Sequence, residues 1–345
     1  NYQIYDPMTT TAAPNGRFQR QPLAGNVIPQ NRLDKTALGL LSWWPDSNIQ
    51  GTANGTQNYQ RLQISWNEYR SHTVKIDHNF SEKHRLFGRY AQWFQLFSSG
   101  QTFPNKANGN DRYRYNYGGV LDDVNVISPS LVNNLRLGMT RIEQSTYPLS
   151  RGFDLTGAGF SPRLAAAIDP QAYTFPNLSV SGYQAIGTAT VTRGFSNYFT
   201  AQESVSWSRG NHLIRLGAEY RVYREHNYDF SNMTPQETFG STWTGGPFDN
   251  SAAAPIGQGL ASFLFGLPSG GQINVNDSWA TQSKTTGFYW QDDWRLTSRL
   301  TLNLGLRYDY DSPLNERYNR SVRGFDFATA SPVAAPALAN YAKSP

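Results

Sequence analysis

No cysteine occurs anywhere in the 345 residues. Thiol nucleophiles, thiolate metal centres and disulfide staples are therefore excluded. Charge is sparse as well: Asp, Glu, Lys and Arg together make up 16% of the chain, which rules out a disordered polyelectrolyte. Long apolar runs are also missing. No stretch approaches the roughly 18 to 20 consecutive apolar residues that a membrane-spanning helix requires, and the mean hydropathy is −0.57. Spanning strands escape that test, because they need only about 9 to 11 residues with every second one apolar. The net charge of +5 comes from scattered arginines such as Arg89, Arg136, Arg215 and Arg307 rather than from a basic block, so no nucleic-acid partner is expected.

Aromatic residues are abundant at 14%, against a hydrophobic content of only 38%. Their placement follows a period of two. In "LTLNLGLRYDY", Leu300, Leu302, Leu304, Leu306, Tyr308 and Tyr310 fall on one face, and Thr301, Asn303, Gly305, Arg307 and Asp309 fall on the other. A sheet packed on a soluble core gives this pattern, and so does a barrel strand with lipid outside and water inside.

The same alternation recurs in pairs. Val74, Ile76 and Phe80 run into a turn at Ser81 to His84, and Leu86, Tyr90, Phe94 and Leu96 return. Tyr113 to Ile127 turns through "SPS" into Leu131, Leu135, Leu137 and Met139. Phe199, Ala201, Val205 and Trp207 turn through "SRGN" into Ile214, Leu216, Ala218, Tyr220 and Val222. "GFYWQDDWRL" turns at Thr297 to Arg299 into the leucine strand. The pattern predicts an all-β fold: eight strands of about ten residues, in four hairpins with turns of three or four residues. The connections between hairpins are far longer. Those from Tyr147 to Arg193 and from Asn232 to Trp279 are rich in Gly, Ser, Thr, Asn and Pro. Soluble domains avoid structureless loops of that length, whereas outer-membrane barrels combine short periplasmic turns, long extracellular loops and aromatic girdles. Phe80, Tyr90, Phe94, Tyr220, Trp290, Trp294, Tyr308 and Tyr310 fit such a girdle. The reading is an antiparallel transmembrane β-barrel segment in the bacterial outer membrane. Residues 1–68 lead into the barrel, 69–314 form the hairpins and long loops, and 315–345 form an extracellular loop or truncated end.

The lipid-facing leucines would be Leu300, Leu302, Leu304 and Leu306. Arg89, Arg136, Arg215, Arg221, Arg307 and Asp309 would face the lumen, with the arginines pairing to Asp77, Glu219 and Asp309 across strands. His78 and Asp292 share the lipid-facing phase. Near the turns the cost of a charge there falls to about 0 to 1 kcal/mol, and a bulge could also turn Asp292 inward.

Catalytic chemistry finds little support. Asp122-Asp123 and Asp292-Asp293 are strand neighbours and point to opposite faces, so neither doublet converges on one substrate atom. The five histidines are too scattered for a metal site. "GTANGTQN" lacks the Lys-Ser/Thr ending of a phosphate-binding loop. "LGLLSWWP" at Leu38 to Pro45 reads as a short amphipathic helix packed on the barrel wall or on a plug. A ligand signal comes from the aromatics of the long connections, namely Tyr147, Phe160, Tyr173, Tyr183, Phe239 and Trp243, since such rings interleaved with amides stack on sugars or peptides. No cofactor is expected.

Four stretches resemble the Oar-like TonB-dependent outer-membrane receptors of acidobacterial type. They are "IPQNRLDKTALGLLSWWPDSN" at Ile28 to Asn48, "TVKIDHNFSEKHRLFGRYA" at Thr73 to Ala91, "ASFLFGLPS" at Ala261 to Ser269 and "GFYWQDDWRLTSRLTLNLGLRYDYDSPLNERYNR" at Gly287 to Arg320. The resemblance implies a barrel of about 22 strands around a plugged lumen, and a receptor that takes up a bulky ligand, a glycan or peptide. Its implied partners are outer-membrane lipid, the plug domain and an energy-coupling protein. The family's plug, coupling box and closing aromatic strand are not recognisable here, so the chain reads as an interior barrel fragment of such a receptor and not as an enzyme. A passive porin or adhesin barrel, or a soluble carbohydrate-binding β-protein, would carry the same strands.

Overall fold

The computed structural model describes residues 2–53, 55–322, 324 and 326–342. Eight long strands form one antiparallel meander in chain order: β1 Trp66–Ser81, β2 His84–Ser99, β3 Asn110–Ser128, β4 Leu131–Pro148, β5 Thr192–Arg209, β6 His212–Asp229, β7 Ser278–Thr297 and β8 Leu300–Asp311. A two-residue strand, Asn315–Glu316, pairs beside β8 on the upper part of β7. The sheet is open, with β1 bonded only to β2 and β8 only to β7 among the described residues.

Both the strands and the turns depart from the sequence-based expectation. The strands run from 12 to 20 residues rather than about ten, because pairing continues beyond the apolar band into segments with polar residues on both faces, such as Arg193 to Asn197 opposite Arg224 to Tyr228. All four turns are two residues long: Glu82-Lys83, Pro129-Ser130, Gly210-Asn211 and Ser298-Arg299. In three of them the register shifts just before the turn, which leaves Phe80, Ile127 and Leu296 as bulged residues. Each bulge adds one residue to one strand, and the turns look longer in sequence because polar strand ends such as Ser81, Ser128, Arg209 and Thr297 still pair across the hairpin.

Pairing fixes the two faces. Val74, Tyr90, Gly119, Met139, Phe199, Val222, Lys284 follow one another across the outer face, and Lys75, Arg89, Val120, Gly138, Thr200, Arg221, Thr285 across the inner one. On the inner face the ring of Tyr289 lies over its cross-strand partner Gly217, where a Cβ would stand 2.1 Å from Cε1. Only glycine admits the ring there.

Each seam between hairpins carries the same lock on the outer face, near the short turns. His84 Nε2 meets Asp123 Oδ1 at 2.6 Å across β2 and β3. Asn133 Nδ2 donates to Glu203 across β4 and β5. His212 Nδ1 meets Asp292 Oδ2 at 2.7 Å across β6 and β7. In all three the acid is paired in register with the residue two places after the nitrogen donor: Leu86, Leu135 and Ile214. An aromatic ring stacks on each histidine, Phe80 on His84 and Trp294 on His212. A carboxylate on an otherwise apolar face is thereby held in a hydrogen bond and shielded by a ring.

The buried core lies outside the wall. Residues 2–53 and 55–65, the β2–β3 connection and the two long connections condense at the long-loop end into a cap. Its main cluster includes Leu40, Phe103, Phe175, Leu178, Ile186, Phe239 and Phe263, and a second gathers Leu155, Ile168 and Met233. Helix α1 (Lys35–Leu41) is capped by Asp34, whose carboxylate accepts from Ala37 N at 2.8 Å. Helix α2 (Pro162–Ala167) supplies Ala165 to the second cluster. Helix α3 (Gln258–Leu264) packs against α1 and a small sheet, in which Gln236–Phe239 lies between parallel Asn177–Val180 and antiparallel Gly270–Gln272. "LGLLSWWP" does start as helix, but its tryptophans enter the cap and not a barrel wall or plug. Trp43 lies 4.8 Å from Phe175, and Trp44 lies 5.6 Å from Phe263.

Candidate functional site

Two surfaces could handle a solute: the cap and the inward face of the wall. On the cap, the six aromatics proposed for ligand contact separate by environment. Phe239 is 3% exposed, edge-on to Phe263 at 5.1 Å, and serves the core. Phe160 and Tyr173 are half-buried against the two clusters, and the Tyr173 hydroxyl donates to Ala165 O at 2.8 Å. Tyr147 is a β4 residue rather than a loop residue, with the Arg151 guanidinium 4.0 Å from its ring centre. Tyr183 and Trp243 are the two with exposed rings, and Trp243 Nε1 is tied to Pro268 O at 2.9 Å. The six do not form one cluster.

Within the cap, polar contacts hold the N-terminal segment together and tie it to the long connections. Arg32 makes a two-pronged pair with Asp6, both contacts 2.7 Å, and holds that carboxyl below its ordinary range. Arg20 donates to Gly245 O at 3.0 Å. Glu237, on the central strand of the small sheet, is pushed above the ordinary carboxylate value by burial, and the negative charge of Asp34 adds to the shift.

On the inward face the arrangement is ionic. Asp122 is buried and binds Arg136 at 2.6 Å. Asp293 takes Arg215 at 3.0 Å. Glu219 accepts from Gln202 at 2.6 Å and from Arg221 at 2.5 Å, with Arg307 at 3.5 Å. Arg307 and Asp309, two apart on β8, pair at 2.7 Å. Asp77 was expected to take one of the inward arginines across strands, but Lys75, two residues away on the same strand face, holds its carboxylate at 3.0 Å. The sequence reading missed Asp122 and Asp293 as ion-pair partners, although their phase was available from the doublets themselves.

Each Asp-Asp doublet divides between the two faces: Asp122 and Asp293 inward to arginine, Asp123 and Asp292 outward to histidine. No bulge turns Asp292 inward. It pairs in register with Ile214 and Leu304, and the register shift on β7 lies further on, at Arg295 to Thr297. His78 is outward too, opposite Leu86 and 4.4 Å from the Phe80 ring.

An eight-strand antiparallel meander, apolar on one face and ionic on the other, is what a wall between lipid and water requires. The family model described as outer membrane beta barrel domain matches residues 1–344. The chain belongs to the outer-membrane β-barrel family. Its place is the bacterial outer membrane, with the short turns periplasmic and the cap external, and the family's architecture fits a transport or porin-type role. No curated protein matches the chain. Leu300, Leu302, Leu304 and Leu306 stand in one column of the apolar face beside Trp290 and Trp294.

Proposed function

We propose that the chain forms wall and external cap of a TonB-dependent receptor of the Oar-like type, which takes up a bulky glycan or peptide with energy delivered from the inner membrane. The observation that carries this reading is the cap. A passive pore needs only loops that leave its mouth open, whereas here the N-terminal segment and the long connections share one apolar core. Such a body presents a fixed surface, including the rings of Tyr183 and Trp243, to a ligand arriving from outside. The four quoted stretches that resemble the receptor family support it independently, and two of them, Ile28 to Asn48 and Ala261 to Ser269, lie in the cap around the α1–α3 contact. The activity is transport and not catalysis, and its partners are outer-membrane lipid, a plug domain and the energy-coupling protein.

The test is uptake of fluorescent oligosaccharides and peptides by cells expressing the protein, with and without a protonophore. Energised uptake collapses when the proton gradient is removed. Uptake that persists unchanged would refute the receptor reading and establish a passive porin.

A further inference from the structure

The inward cations divide into two groups. Those of β4, β6 and β8 (Arg136, Arg215, Arg221 and Arg307) each hold an acid, as does Lys75 of β1. The four of β2 and β3 (Arg85, Arg89, Arg114 and Arg112) are exposed, and none of them makes an ion pair or hydrogen bond through its side chain among the described residues. The inward acids beside Arg85 and Arg89 are already engaged, Asp77 by Lys75 and Asp122 by Arg136. The inward phase of β1 to β4 carries six cations against two acids, and that of β5 to β8 four cations against six acids. The excess positive charge is therefore confined to one side of the wall. One further inward arginine, Arg295, is also unpaired but stands apart at the β7 turn.

Register places the four arginines in one column. Arg85 lies opposite Val124 beside the periplasmic turn, Arg89 opposite Val120, Arg114 opposite Gln95, and Arg112 opposite Phe97 under the cap. From first to last they span roughly 40 Å along the strand direction, at about 3.3 Å per residue. Between them the same face carries Phe87, Trp93 and Phe97, and Tyr69 of β1 lies 6.0 Å from the Trp93 ring. Guanidinium groups bind oxyanions through paired donors, and flat rings stack on sugar or aromatic faces. Successive steps along the column are roughly 13, 20 and 7 Å, and the first two exceed what one small anion bridges.

We propose that this column is a conducting lane for an elongated solute bearing several carboxylates, of the uronic-acid oligosaccharide class, running from the cap to the periplasmic rim. The proposal rests on the transport reading above and names its ligand chemistry. Exposure of the unpaired guanidinium groups leaves their charge available, and the neighbouring rings supply contact for the uncharged parts of the solute.

The experiment uses the full chain refolded in detergent, with binding of tetragalacturonate and of neutral maltotetraose measured by titration calorimetry at two salt concentrations. The acidic tetramer should bind in preference to the neutral one and weaken with salt. R89Q/R114Q should weaken acidic-tetramer binding about tenfold or more, the loss of two charge-assisted contacts. R89K/R114K should retain part of it, and R295Q should leave it within about twofold. Circular dichroism and heat-modifiable gel migration confirm that each variant folds. Equal binding of the two tetramers, no loss in R89Q/R114Q, or an equal loss in R295Q would overturn the lane. A stronger, equally arginine-dependent affinity for an oligoglutamate peptide would also overturn it and give the column to an acidic protein segment. These outcomes are independent of the protonophore test: a lane can exist in a passive pore, and energised uptake can proceed without one.

Discussion

Replacing Leu306 by arginine tests which face of the wall meets lipid. Leu306 lies six residues past Leu300, and at about 3.3 Å per residue and about 40° of tilt this places it roughly 15 Å from the periplasmic turn, near the middle of an apolar band about 25 Å tall. Its side chain is 72% exposed on the outward phase, opposite Trp290. Arginine there should cost about 2 to 4 kcal/mol, against about 0 to 1 kcal/mol at Leu300 beside the turn. Leu304 is a poorer choice, because it lies opposite Asp292, whose Oδ1 has no hydrogen-bond partner. An arginine at 304 would reach that oxygen, and the ion pair would mask the lipid penalty. Asn303 to arginine is the control on the inward face, with an effect within about 0.5 kcal/mol. Urea-dependent folding into lipid vesicles, followed by tryptophan fluorescence and gel migration, gives each value. Equal costs at 306 and 300, or at 306 and 303, would refute the assignment of the leucine column to lipid.

The seam lock makes an asymmetric prediction in the same assay. His212→Ala strands a buried carboxylate and should cost about 1 to 3 kcal/mol, while Asp292→Leu removes the group that needs the partner and should cost far less. In the cap, Phe175→Ala should cost about 3 to 5 kcal/mol of local stability. Limited proteolysis should then cut the connections 149–191 and 230–277 while the sheet stays intact. Glu237 sets a pH dependence. Its folded carboxyl titrates above the ordinary value of 4.5, so the folded cap holds the proton more tightly than the unfolded one. Cap stability should therefore fall as pH rises from 4.5 through the raised value and then level off. Glu237→Gln should flatten that slope in hydrogen exchange of the loop amides.

The wall was legible because a strand side chain's destination depends on parity alone. Leu300 to Tyr310 and the divided Asp-Asp doublets could be assigned to faces without knowing any neighbour. Turn length was not, because the polar strand ends Ser81, His84, Ser128, Arg209 and Thr297 still pair across the hairpins but count as turn when only apolar alternation is followed. Ion-pair partners depend on register, which parity does not supply, and so Asp77 was expected to take an arginine across strands although Lys75 of its own strand holds it. The cap left no periodic trace at all. Its core joins Trp43, Phe175, Phe239 and Phe263, residues separated by up to 220 positions with no repeating interval. Phe239 and Trp243 therefore read alike in sequence, although one is core and the other surface.

The shared core of the cap also decides which parts of this protein can be exchanged. A hairpin of the wall meets its neighbours through backbone bonds and in-register side-chain contacts, among them the repeated lock and pairs such as Arg215–Asp293, so a foreign hairpin that keeps those contacts would fit. A single external loop would not, because each contributes rings to a core that the others close. Under the receptor function proposed above, recognition is inherited as a block: a chimera acquires a new external specificity only by taking the N-terminal segment and the long connections together.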